Sequence, residues 1–255
     1  GLSAAYHLRR LGHEVTVFDA NPQAGGMIRY GIPKYRMPRE KLRAEVARIE
    51  AMGVKIELNT KIEDISTTRK EGQFDAVFMC IGAQLSRSAE IESDGKIPIH
   101  DAAVVLRDSE LDNPNQLHGH VVIYGGGNTA MDVARTSIRM GAISTTVVVL
   151  EAQEDMPAHS FERDEAIEEG ATLKYLHSIK RVNGRTVTLE KMKVSENRWP
   201  KPTGEFDSIE ADVIVQAIGQ DVDTAILQNT PAVNLKDGIT QINEAMCTGE
   251  DGIFA

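Results

Sequence analysis

The chain has 255 residues, enough for two α/β domains of ordinary size. Its 28 basic and 38 acidic residues leave a net charge of −10, which argues against a nucleic-acid or anionic-membrane surface. No apolar run approaches membrane-spanning length, no signal-peptide pattern opens the chain, and Cys80 and Cys247 stand far apart without CxxC spacing, so a cytoplasmic setting with reduced thiols is the expectation.

In chain order, residues 1–20 read as helix then strand. Gly1 looks like the last glycine of a nucleotide-binding turn, and Leu2, Ala5, Leu8 and Leu11 give the following helix an apolar face that Gly12 stops. Glu14–Phe18 reads as a buried strand that ends at an acid, Asp19, followed by Ala20. Asn21–Met27 is a breaker-rich loop, and the spacing then predicts a helix from about Arg39 to Met52 and strands over Val54–Leu58 and Ala76–Ile81. Cys80, inside the last of these, is expected to be a small core residue.

A second unit opens near Leu117. The apolar run His120–Tyr124 leads into Gly125-Gly126-Gly127-Asn128-Thr129-Ala130 and then a helix-like stretch ending at Gly141. Strand, glycine turn and helix N-terminus together make a pyrophosphate cradle, because backbone must approach the phosphates and helix N–H groups must point at them. Thr129 is a candidate for both a phosphate contact and a local helix N-cap. The next strand, Thr145–Leu150, ends at Glu151, where an acid can bridge ribose hydroxyls, and the alternative is a solvated strand-end glutamate. An acid repels a 2′-phosphate and no arginine adjoins it in sequence, so NADH is expected to be preferred over NADPH. A helix over Phe161–Glu169 and strands at Leu173–Leu176, Thr186–Met192 and Val213–Ala217 follow, with a smaller antiparallel section near residues 173–194, Glu196–Glu205 as a hairpin tip and Ile218-Gly219 closing the unit. The fold class is therefore α/β, with two Rossmann-like three-layer nucleotide-binding domains. The seven histidines show no metal-ligand spacing, and His159 and His177 are expected to be solvated. No metal and no acid–base residue is assigned.

Three motifs carry a resemblance. The run Ala24–Pro38 (AGGMIRYGIPKYRMP), Gly125–Asp132 (GGGNTAMD) and Asp155–Ala158 (DMPA) resemble, in that order, the signatures of the glutamate synthase small-subunit-like family of FAD/NAD(P)-dependent oxidoreductases. The flavin- and nicotinamide-binding part of dihydropyrimidine dehydrogenase is similar. The resemblance implies an NAD(P) domain inserted into an FAD domain, here 113–225 within 1–112 and 226–255. It implies FAD contacts from Gly1, Asp19, Ala20, Gly25, Gly26, Met27, Arg36, Ile62, Gly82 and Ala83, and a nicotinamide nucleotide held by Gly125–Ala130 and Glu151, with Ile218 and Gly219 at the domain's return. Without the RYGIPKYRMP continuation, Gly25-Gly26 would read as a plain turn, and Arg36 serves equally as an anion contact or a surface charge.

In the resembled family, hydride passes from NAD(P)H to the flavin and single electrons leave through iron–sulfur clusters, so an iron–sulfur domain or subunit outside the chain is the expected partner. The family commonly has Tyr-Arg-Arg where this chain has Leu150-Glu151-Ala152. Its FAD domain opens with a strand and glycine turn before Gly1 and continues past Ala255, so the expectation is a domain incomplete at both ends that does not hold FAD firmly by itself. A thioredoxin-reductase-like enzyme would need a CxxC pair. A nucleotide-binding structural or sensor module without hydride transfer is the alternative from another class.

Overall fold

The computed structural model describes residues 1–111 and 117–255. It divides into two compact units: Gly1–Arg29 with Lys34–Leu85 and Asp221–Ala255, and Tyr30–Pro33 with Ser86–Gln220. The boundary expected between residues 112 and 113 falls outside the described residues.

The second unit is built on a five-stranded parallel sheet in the order Ile99–Asp101, Val213–Gln216, His120–Tyr124, Ser144–Val148, Thr172–Lys174. Its central strands are apolar on successive residues because both faces are covered. Val121, Ile123, Val147, Val213 and Val215 pack with Ala130, Met131, Val133 and Ala134 of the helix Asn128–Arg139. The alternate residues Val122, Val148 and Ile214 pack instead with Ile179, Val182, Val187 and Leu189. Those last residues belong to a four-stranded sheet, ordered Pro200–Glu210, Thr186–Val194, His177–Asn183, Glu92–Ser93, in which the first three strands are antiparallel and Glu92–Ser93 lies parallel to His177–Asn183. Helix layer, parallel sheet and this mixed sheet thus form three layers.

Three expectations need adjustment here. The strand Ile99–Asp101 and helix Ala102–Glu110 belong to the second unit, since Ile99 pairs with Ile214 and Val105 and Leu106 enter the helix-side core. The antiparallel section is not 173–194: Thr172–Lys174 stays in the parallel sheet, and the antiparallel ladder runs from His177 to Glu210. The hairpin tip is also shorter than Glu196–Glu205, because strand pairing resumes at Pro200 opposite Val194.

The first unit holds two small cores. Ala5, Ile49 and Val54 gather with Leu2, Tyr6, Val15, Val17 and Ile56, joining the helices Leu2–Arg10 and Arg39–Ala51 to the parallel strands Thr16–Phe18 and Lys55–Glu57. Ile65, Leu227, Val233 and Ile253 form the other with Val77 and Met79. Ile253–Phe254 lies parallel to Val77–Phe78, so the chain's C-terminal residues complete a sheet begun far earlier in sequence. Cys80 is exposed rather than buried, because the segment alternates: Val77 and Met79 turn toward the core, whereas Phe78 and Cys80 lie on the other, exposed face. No helix among the described residues is long and apolar enough to cross a membrane.

Candidate nucleotide site

The three glycines after His120–Tyr124 serve three different purposes. Gly125 has φ +144°, donates its N–H to the Val148 carbonyl at 3.0 Å, and would place a Cβ 2.2 Å from the Ala217 carbonyl oxygen. It is glycine because the turn crosses the backbone of the neighbouring strand. A Cβ on Gly126 would stand 2.9 Å from Val149 Cγ1, 3.2 Å from Glu151 Oε2 and 3.3 Å from Pro157 Cδ. Gly126 therefore lets the following loop close over the turn. Gly127 meets nothing within 4 Å, and it is the N-cap of the helix Asn128–Arg139 with no side-chain capping bond. The first helical N–H groups thus lack the side-chain acceptor that ordinarily satisfies them, at the one glycine of the three with open space around it.

Thr129 is not the N-cap. It lies inside the first turn, one residue past Asn128, where its side chain cannot take the capping position that Gly127 holds. Asn128 instead reaches sideways, its Oδ1 accepting the His159 N–H at 2.9 Å, while the Gly126 carbonyl accepts the Ala158 N–H at 2.9 Å. The GGGNTA and DMPA motifs, about thirty residues apart, are therefore bonded into one structure. Ala130 is fully buried in the helix-side core.

Glu151 leaves the strand Ser144–Val148 three residues past its end and turns its carboxylate back onto Gly126. Its carbonyl accepts the Leu176 N–H at 3.1 Å, fixing the backbone there. The short 3₁₀ turn Gln153–Asp155 follows, then Met156 in the core and Pro157 against Gly126. Sequence reasoning missed that Arg198, from the tip between Thr186–Val194 and Pro200–Glu210, donates to the Asp155 carboxylate. No local pattern links residues so far apart. At the return of the sheet, Gly219 has φ +120° and its carbonyl accepts the Arg87 N–H at 2.9 Å, with Ile218 half-buried beside it.

His177 departs from its expected solvated state. Its Nδ1 stands 2.7 Å from the Tyr175 carbonyl and its Nε2 3.3 Å from Asp207 Oδ2, and the interaction with His177 holds the Asp207 carboxyl below the usual range. His159 is exposed and stacks on Phe161 with centroids 5.7 Å apart.

In the first unit, Asp19 ends the strand Thr16–Phe18, and its Oδ1 accepts from the Asn21 backbone and side-chain N–H groups, both at 2.9 Å. The turn and a ribose contact are compatible, since Oδ2 lies outside these bonds. Gly25, at φ +134°, would set a Cβ 2.9 Å from Leu42 and 3.2 Å from Arg29, whereas Gly26 and its φ of +52° face open space at the start of the short helix Gly26–Tyr30. Buried Arg29 donates to the Ala24 carbonyl at 2.8 Å and to Gln23 at 2.7 Å, and buried Arg39 donates to the Arg29 carbonyl at 2.7 Å. These two arginines hold the Ala24–Arg29 run in place. Gly1 is the N-cap of Leu2–Arg10, again without a side-chain capping bond, and a Cβ there would meet Cys80 Cβ at 3.6 Å. Met27, Arg36, Ile62 and Ala83 are half-buried, while Ala20 and Gly82 are exposed. Among the described residues no backbone hydrogen bond links Ile62, Gly82 or Ala83 to Asp19 or Gly25-Gly26.

The family model described as pyridine nucleotide-disulphide oxidoreductase matches residues 1–255. A protein named NADP(+)-dependent formate dehydrogenase subunit beta, from Moorella thermoacetica, is 36% identical over 275 residues, covering 100% of this chain and 38% of its own length. A putative glutamate synthase [NADPH] small chain from Cereibacter sphaeroides is 32% identical over 241 residues, covering 86% of this chain and 58% of its own, in keeping with the resemblance carried by the three motifs. The chain thus spans less than two thirds of either relative. Among solved structures, FprA from Mycobacterium tuberculosis superposes with a TM-score of 0.76 over 99% of this chain and 75% of that one. At 16% identity that likeness speaks to the two-domain α/β fold alone.

Proposed function

The chain belongs to the pyridine nucleotide-disulphide oxidoreductase family, and from that premise we propose that it is the flavin- and nicotinamide-binding part of an NAD(P)H-oxidising electron-entry subunit. Its electron acceptor would be an iron–sulfur domain or subunit outside these residues. We assign FAD to the first unit and the nicotinamide nucleotide to the second. The carrying observation is Gly127: an open glycine, an uncapped helix N-terminus behind it, and the Glu151 carboxylate folded against the adjoining Gly126.

These residues fit a dinucleotide. The N–H groups at Gly127–Thr129 would receive the pyrophosphate, and Glu151 would accept the adenosine ribose hydroxyls. On the flavin side, Asp19 Oδ2 suits a ribose hydroxyl, and the open face of Gly26 with Met27 allows backbone to lie close to a flat ring. When bound, the flavin accepts hydride from the nicotinamide and releases electrons singly. The protein's share is to bind and orient, and no side chain is assigned a proton transfer.

Glu151 also supports a preference for NADH over NADPH, since its carboxylate would repel a 2′-phosphate. The Moorella thermoacetica relative is named for NADP(+), so the preference is a property proposed for this chain's own residue. Anaerobic addition of NADH to the intact flavin-loaded protein tests the reading. Bleaching of the flavin absorbance is expected, faster with NADH than with NADPH. A protein that binds NADH without any flavin reduction would refute it.

A further inference from the structure

We propose that Arg198 is a coenzyme-discriminating contact: a cation brought to the rim of the glycine-turn site by the hairpin of Thr186–Val194 and Pro200–Glu210, where it would receive an adenosine 2′-phosphate. The inference rests on the assignment of a nicotinamide nucleotide to Gly125–Ala130 and Glu151.

The loop from Glu151 to Pro157 is pinned at both ends, for the Glu151 carboxylate and the Pro157 ring both lie against Gly126. Asp155 sits between those anchors, at the end of the 3₁₀ turn, and its carboxylate takes the Arg198 guanidinium. In sequence the two are far apart, and the ladder brings them together. The acid that would meet the ribose and the arginine that would meet its phosphate therefore border one loop.

Three features separate Arg198 from an ordinary surface cation. Its φ is +62°, a left-handed conformation that costs a non-glycine residue about 1 kcal/mol and is retained where surrounding structure imposes it. The tip imposes it here. The Arg198 N–H donates to the Ser195 carbonyl at 2.8 Å and the Trp199 N–H to Asn197 Oδ1 at 3.2 Å. Second, the Arg198 side chain is 68% exposed while that of Asp155 is 23% exposed, so the carboxylate is the fixed partner and the guanidinium faces outward. Third, Asp155 takes a donor from one terminal nitrogen only, which leaves the rest of a five-donor fork open to a second anion. The remaining charges on this loop are the carboxylates Glu151 and Glu154. Residues 151–157 themselves carry no cation, so the charge of that sign paired to this loop comes from Arg198. With it, one cation stands where the extra phosphate of NADPH differs from NADH.

Binding of NADH and NADPH to the intact protein, titrated separately, decides the matter. Arg198→Gln should weaken NADPH by about tenfold and leave NADH within about twofold, the scale of a single charge-assisted hydrogen bond. Arg198→Lys should retain part of the NADPH affinity. Asp155→Asn, which keeps the arginine and removes its competing carboxylate, should strengthen NADPH selectively, and this arm stands even if the Gln variant does not fold. The inference is overturned if Arg198→Gln moves both coenzymes alike or neither, or if the wild-type protein binds NADH but no NADPH at all. A wild-type protein that binds neither coenzyme overturns the functional assignment instead.

Discussion

Gly125 and Ala217 approach so closely that a Cβ on Gly125 would stand 2.2 Å from the Ala217 carbonyl oxygen and 2.8 Å from its carbonyl carbon. Backbone cannot yield as a flexible side-chain end can. Gly125 also has φ +144°, which L side chains avoid. Gly125→Ala should therefore cost about 3 kcal/mol of stability in the second unit, from backbone overlap and an unfavourable dihedral together. Gly127→Ala meets open space and should cost at most about 1 kcal/mol, the loss from a poorer N-cap, while weakening NADH binding. Thermal unfolding and coenzyme titration of the two variants separate a packing glycine from a ligand-facing one. Equal stability losses in both would defeat the distinction.

The Glu151 carboxylate gives a charge-based test. Replacing Glu151 with arginine should narrow or invert the coenzyme preference by on the order of 1–3 kcal/mol, as a repulsive charge gives way to an attractive one. The ratio of NADH to NADPH affinities, measured on wild type and Glu151→Arg, gives the answer. A wild-type protein that prefers NADPH sinks the role assigned to Glu151.

How much of the fold and the site is legible in the sequence depends on the range of the interactions. The strand, glycine turn and helix around His120–Arg139 follow from apolar runs and glycines whose causes are local. The GGGNTA and DMPA motifs are each visible, but their union through Asn128 and His159 is not, because a hydrogen bond across 31 positions leaves no periodic trace. Ile99–Asp101 escapes detection as a strand for a related reason: three residues are too short for a pattern, and pairing with Val213–Gln216 is what makes them extended. Cys80 lies in an apolar neighbourhood of the sequence that suggests burial, yet it shares the exposed face of its segment with Phe78 while Val77 and Met79 take the core side. Arg198 is beyond the reach of any local pattern, since it enters through hairpin geometry.

Asp212 predicts an acid sensitivity in the second unit. Its Oδ2 accepts the His120 N–H at 2.8 Å, and its Oδ1 meets Arg185 Nε at 2.8 Å. The His120 bond foremost, and the arginine after it, hold the carboxyl below the usual range against the opposing effect of burial. A depressed folded-state pKa contributes stability that is fully present above the unfolded carboxylate value and is lost as pH falls through the folded one. Asp212→Asn should therefore be less stable than wild type at neutral pH, with the gap shrinking below about pH 4. Denaturant unfolding of both proteins across that range checks the sign, and a gap that widens on acidification contradicts it.

Arg69 makes a separate prediction for the first unit. From the helix Ile65–Glu71 its guanidinium donates to the carbonyls of Asp251, of Phe74 at 3.3 Å and of Asp75 at 2.8 Å. It thereby ties the residues before Val77–Phe78 to those before Ile253–Phe254, whose pairing runs through Val77 N–H to the Gly252 carbonyl at 2.8 Å and Met79 N–H to the Phe254 carbonyl at 2.7 Å. Gly252 is part of the same clamp: at φ +72° it has space only because it lacks a Cβ, which would stand 2.3 Å from the Arg69 guanidinium carbon. Arg69→Met removes all three of these hydrogen bonds while keeping the aliphatic stem, and should weaken this pairing by about 1–2 kcal/mol, a modest figure because the residue is only half-buried. Hydrogen exchange at the Val77 and Met79 amides should accelerate, while Val121, Val122 and Ile123 of the second unit's sheet keep their protection. Gly252→Ala should produce the same pattern by displacing the guanidinium. Unaltered exchange at Val77 and Met79 in both variants would mean that the apolar cluster of Ile65, Val233 and Ile253 holds the two strands together without the arginine.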